Sequence, residues 1–157
     1  MRSSEQTLPE TDAISRILRE YRVIAIVGLS RDPSKYSYEV AGYLKSRGYQ
    51  VIPINPSADE ILGEKCYRSL LTMPEGLQRT VEVVDIFRPS QDVPPIVAQA
   101  VELKRRFGRP YVVWMQLGIE NENAAQLARE NGMEVVMNAC MMVQHQARAG
   151  KLHFLGL

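Results

Sequence analysis

A chain of 157 residues, 45% hydrophobic and 24% charged, suits one globular domain with a real core. Its formal net charge of +1 excludes a bulk field for nucleic acid or membrane, so any anion site must be local. Cys66 and Cys140 form no CxxC pair, the start MRSSEQTLPETD lacks a signal-peptide core, and no apolar run nears the ~20 residues of a bilayer span; the expectation is a cytoplasmic protein.

Residues 1–11 read as a flexible arm, and Asp12 as the N-cap of a helix with Ile14, Ile17 and Leu18 on one face. Arg22 to Gly28 is an almost unbroken apolar run ending in glycine, which suits a strand covered on both faces. A helix follows over 37–47, with Val40, Ala41, Tyr43 and Leu44 inward and Gly48 as its stop. Residues 49–54 form strand two, broken by Asn55-Pro56, and 57–76 is loop with a turn of helix near 67–71.

Strand three covers 81–87, and helix three covers 93–106, entered through Pro94-Pro95. Strand four covers 111–115, a helix 121–130 ends at Asn131-Gly132, strand five covers 133–137, and a last helix spans 141–148. This alternation implies a doubly wound α/β domain: five parallel strands in one sheet with helices on both faces. There is no internal repeat. The domain is expected over 12–150, followed by an apolar tail at 151–157 that packs on its own domain or on a second subunit.

Ligands of open parallel sheets bind beyond the carboxyl ends of the strands. The first such loop runs Gly28-Leu29-Ser30-Arg31-Asp32-Pro33-Ser34-Lys35. Its backbone N–H groups and the Ser30 and Ser37 hydroxyls can donate to phosphate, Arg31 and Lys35 supply charge, and Pro33 stiffens the loop. The plainer alternative makes Gly28 a simple turn and Lys35 a solvated surface residue. A dinucleotide fingerprint would need GxGxxG and an acid after strand two, whereas this chain has Ser30, Pro33 and Pro53-Ile54-Asn55-Pro56. A Walker A loop is also missing.

On these residues the sequence resembles the small stand-alone CoA-binding proteins, Rossmann-like relatives of the N-terminal domain of succinyl-CoA synthetase α subunits. The resemblance rests on Ala25 to Ser30 with Pro33 to Lys35, Gly48 to Pro56, Gly63 with Tyr67 to Leu70, Val84 to Arg88, Val113 to Ile119 and Gly132 to Met137. It implies that Gly28, Ser30 and Lys35 contact the CoA phosphates. Pro53, Asn55 and Pro56 would border the adenosine end, where a ribose 3′-phosphate would be repelled by an acid. Phe87 and Arg88 would lie over adenine and pyrophosphate, and Trp114, Gln116 and Gly118 near the pantetheine arm. Competing structural roles remain open: Phe87 and Trp114 as core aromatics, Arg88 as a helix cap or a partner of Asp92, Asn55-Pro56 as turn chemistry.

The synthetases use a histidine in a domain this chain lacks. His145 and His153 read as surface histidines, Asp85 as a hydrogen-bonded structural acid, and no cluster offers metal ligands. Cys140 is either a small buried residue or a thiol that forms a mixed disulfide with CoA. The resemblance implies a CoA or acyl-CoA binder without catalysis, acting as carrier, sensor, homodimer or partner of an acyl-CoA enzyme. A nicotinamide-dependent oxidoreductase, a subunit of an acyl-CoA ligase and an interaction scaffold are the alternatives.

Overall fold

The computed structural model describes residues 10–152. Residues 153–157 of the predicted tail, His153 among them, and residues 1–9 of the predicted arm lie outside them, whereas Lys151 and Leu152 belong to the last helix. Helix α1 (Glu10–Glu20) starts inside that arm, so Asp12 sits within the helix instead of capping it. Ile14, Ile17 and Leu18 are buried as their spacing predicts.

After α1 come β1 (Val23–Val27), α2 (Tyr36–Ser46) and β2 (Gln50–Ile54). The segment read as loop carries a small antiparallel hairpin, β3 (Glu60–Ile61) and β4 (Glu64–Lys65), a 3-10 turn at Leu70–Thr72, and α3 (Glu75–Gln78). Two-residue strands and a four-residue helix are too short for a hydrophobic period to reveal. β5 (Val83–Ile86) leads through a 3-10 turn at Ser90–Asp92 into α4 (Val93–Phe107), which has proline in its first turn. β6 (Val112–Met115), α5 (Glu122–Glu130), β7 (Glu134–Val136), α6 (Met141–Ala147) and α7 (Ala149–Leu152) complete the chain. Asn121 caps α5, its side chain accepting from Ala124 N.

The main sheet is five-stranded and parallel, in the order β2-β1-β5-β6-β7. Strict alternation sends Ile24, Ile26, Val51, Val83, Val112 and Trp114 into one layer, with residues of α1, α2 and α6. Ala25, Val27, Ile52, Val84, Ile86 and Val113 enter the other, with α4 and α5. Because the chain leaves β1 for β2 and then crosses back to β5, the order reverses between β1 and β5. That gap at the carboxyl ends is where a doubly wound sheet opens a crevice.

Pro53 is buried within the edge strand β2, opposite Ile26, and its carbonyl accepts from Tyr67 N at 3.0 Å. Its backbone therefore faces the 67–69 loop, and β1 needs no N–H from it. No helix of the described residues is long and apolar enough to cross a membrane.

Candidate functional site

Gly28 closes β1 with φ +88°, and its N–H donates to Ile54 O at 2.9 Å. A Cβ at this position would lie 2.6 Å from Phe87 O and 3.0 Å from Arg88 Cδ. The residue must be glycine for two separate reasons: backbone sign and the passage of the β5 exit against it. The loop beyond is tied internally. Ser30 N donates to Ser37 Oγ and Asp32 N to Ser30 Oγ, both at 3.0 Å. Each serine oxygen already accepts an amide, so each offers an anion only its own O–H. The Asp32 carboxylate accepts from Ser34 N and Oγ, both at 2.9 Å, and these bonds hold it below the usual carboxylate range.

The ends of β1, β2 and β5 enclose a cleft of about 460 Å³. Gly28 and Ser30 form one wall, Asn55 and Arg68 another, and Arg88 a third, while Ile54 and Ile96 give it an apolar lining. A second recess shares Gly28, Ser30 and Arg88 and adds Lys35, Tyr36, Ser37 and Phe87. Lys35 is the N-cap residue of α2 without a capping side-chain hydrogen bond, so first-turn amides of this 11-residue helix border the recess uncapped. Arg88 lines the cleft and also pairs with Asp92 at 3.0 Å, the structural partner foreseen for it. Asn55 is a turn residue as well: its Nδ2 donates to Leu29 O at 2.8 Å and its Oδ1 accepts from Ser57 N at 2.6 Å. Pro56 lines the cleft beside it, and Phe87 meets Tyr36 edge-on at 6.5 Å.

Other predicted contacts do not reach this surface. Trp114 is fully buried, with Nε1 donating to Ala139 O at 2.8 Å, which makes it a core residue and corrects the expectation of a ligand contact. Gln116 is 1% exposed; its Oε1 accepts from Met141 N at 3.1 Å and so holds the start of α6, while its buried Nε2 has no hydrogen-bond partner among the described residues. Gly118 N donates to Asn138 Oδ1 at 2.7 Å on the β6–β7 side, away from the cleft. Pro53 is inside its strand, and Pro33 is exposed on the loop without lining either recess. Arg31 is likewise exposed and lines neither recess, but its Nη1 donates at 3.4 Å to the carbonyl of Ser57, a cleft residue.

Three titratable groups also differ from expectation or resolve it. His145 is buried, not superficial: its Nδ1 bonds the Tyr43 hydroxyl at 2.8 Å, and burial, with Arg47 nearby, pushes its pKa down. Asp85 is fully buried with neither oxygen in a well-formed hydrogen bond. Burial, only partly offset by the nearby Ile86 amide, drives its carboxyl well above the usual range. Cys140 is buried and accepts the Tyr36 hydroxyl, an arrangement in which burial pushes the Tyr36 phenol up. Among the described residues no group of three or more His, Cys, Asp or Glu could hold a metal ion.

The cleft also contains Ser57, Arg68, Ser69 and Gln99, which sequence reasoning did not assign to it. Asn55 N donates to Tyr67 O at 2.8 Å and an isolated bridge joins Ile54 to Tyr67, carrying Arg68 and Ser69 to the end of β2. The Tyr67 to Leu70 segment was the one available signal, visible as a motif without a place.

Residues 22–146 match the family described as CoA binding domain. Over 137 residues the chain is 34% identical to the uncharacterized protein YneT of Bacillus subtilis (strain 168), spanning 87% of this chain and 95% of that one. A hypothetical protein from Pyrococcus horikoshii OT3 superposes with a TM-score of 0.79 at 35% identity, covering 94% of this chain and 96% of its own. A shorter match, 32% identical over 81 residues, links 50% of this chain to 11% of an ADP-forming acetate–CoA ligase II of Archaeoglobus fulgidus.

Proposed function

The chain belongs to the CoA-binding domain family, and on that premise we propose that its cleft holds coenzyme A or an acyl-CoA without catalysis of its own. One observation carries this reading: the β1, β2 and β5 ends bring Arg68 and Arg88 to one cleft, which joins the Lys35 recess at the uncapped α2 start. Phosphate oxygens at the shared Gly28–Ser30 wall would meet the free amides of α2 and the Lys35 ammonium, while Arg88 faces them from β5. The apolar Ile54 and Ile96 suit the adenine, and the Tyr36–Phe87 side of the recess suits the pantetheine arm. Asn55, engaged by Leu29 and Ser57, occupies the place where a nicotinamide enzyme would present a carboxylate to its ribose.

The protein then acts in the cytoplasm as a carrier, a sensor or a partner of an acyl-CoA enzyme. Calorimetry with CoA, acetyl-CoA, NAD and NADP tests the binding reading. The expected result is saturable binding of the two CoA species alone. Micromolar NAD binding with no CoA binding would replace it by the oxidoreductase reading. The 81-residue match to a ligase favours a second role, as one part of an acyl-CoA ligase. In that case CoA–thioester formation appears only when a separate nucleotide-binding subunit is added.

A further inference from the structure

Two arginines hold the turn at the end of β2. Arg68 Nη1 donates to Pro56 O at 2.7 Å, and Arg31 Nη1 donates to Ser57 O at 3.4 Å. The two guanidinium groups are thus fastened to successive carbonyls of one turn. That turn is itself fixed by Asn55 and by the Asn55–Tyr67 and Tyr67–Pro53 hydrogen bonds. Each arginine bond uses one of five N–H donors, leaving four on each group.

Arg16, Arg79, Arg88, Arg106 and Arg129 all have carboxylate partners, but among the described residues neither Arg31 nor Arg68 has one at ion-pair distance. Asp32, next to Arg31, is engaged by Ser34. Two exposed cations tethered to successive carbonyls, neither of them in an ion pair, repel each other, and an anion that both reach relieves that repulsion. Ser57 and Ser69 line the cleft together with Arg68, Ile54 and Ile96.

We propose that Arg31 and Arg68 form a clamp for a phosphomonoester on the ribose of the bound nucleotide, which for coenzyme A is its 3′-phosphate. This inference rests on the CoA reading above and adds to it the feature that selects among related nucleotides. A phosphomonoester carries close to two negative charges near neutral pH and three acceptor oxygens, which two guanidinium forks match. A ribose with free hydroxyls offers them only neutral acceptors and no charge.

The test is calorimetry of the wild-type chain, Arg31→Gln, Arg68→Gln, the double variant and Arg88→Gln, each with CoA and with dephospho-CoA. The wild type should bind CoA about tenfold to hundredfold more tightly than dephospho-CoA. Each single change at Arg31 or Arg68 should shrink that ratio, and the double change should bring it close to one. Arg88→Gln should weaken both ligands by a similar factor and keep the ratio. Arg31 and Arg68 are exposed, so a preserved melting temperature confirms that each variant is folded. Equal wild-type affinities, or a ratio that survives the double change, overturn the clamp and leave the CoA reading standing. If neither ligand binds the wild type, the CoA reading falls and the clamp falls with it.

Discussion

Replacing Asp85 by asparagine should change how stability depends on pH. Asp85 sits in the middle strand of the sheet, between Ile26 and Trp114, with no exposure and no well-formed hydrogen bond to either oxygen. Burial raises its folded-state pKa well above the usual value, whereas in the unfolded chain it titrates near ~3.9. Between those two values the unfolded chain has released the proton and the folded chain still holds it. Folded stability is then fully present below the unfolded pKa and falls as pH rises towards the folded one, by about 1.4 kcal/mol per pH unit. The amide of Asp85→Asn cannot ionise, so the variant lacks this slope, whatever constant offset the amide introduces. For a chain of this length each such unit corresponds to a melting-temperature difference of about 3–6 °C. Denaturant titrations of both proteins at a series of pH values above the unfolded pKa measure it, and the variant should gain on the wild type until the pH reaches the folded pKa. Parallel pH profiles would mean that Asp85 is solvated or paired, and would refute the argument.

Gly28→Ala should destabilise the fold by about 2 kcal/mol or more, since the positive φ alone costs about 1–2 kcal/mol and the Cβ meets Phe87 O at 2.6 Å. Denaturant melts check this, and near-wild-type stability would show that the β5 exit shifts freely. Lys35→Ala should leave stability unchanged and weaken CoA binding by about 1.5–3 kcal/mol, read by calorimetry; an unchanged affinity removes Lys35 from the phosphate site. Trp114→Phe should lower stability by about 1–3 kcal/mol through the lost Ala139 hydrogen bond and lost volume, with CoA affinity intact. A selective loss of affinity in a stable Trp114→Phe protein would return that residue to the ligand.

Hydrophobic period determined by itself that this chain is a parallel α/β domain. Ile24 and Ile26 alternate with Ala25 and Val27, and the same two-sided burial recurs in β2, β5 and β6, so four covered strands were legible in the sequence. Gly28 and the loop to Lys35 were legible too, because a glycine ending an apolar run marks a strand-to-helix turn. The direction in which a side chain leaves a strand end, and what waits for it there, was not. Trp114 and Gln116 follow the pattern of rim residues, yet Ala139 O and Met141 N claim their polar atoms when the segment after β7 folds over them. His145 reads as polar surface until α2 supplies Tyr43 for its Nδ1 and closes it off. Arg68 joins the cleft only through backbone hydrogen bonds between Tyr67 and the end of β2, more than ten residues earlier in the chain. Periodicity reports a residue's relation to its own element. These outcomes depend on which distant backbone group arrives beside it, and only the strand order and the crossings decide that.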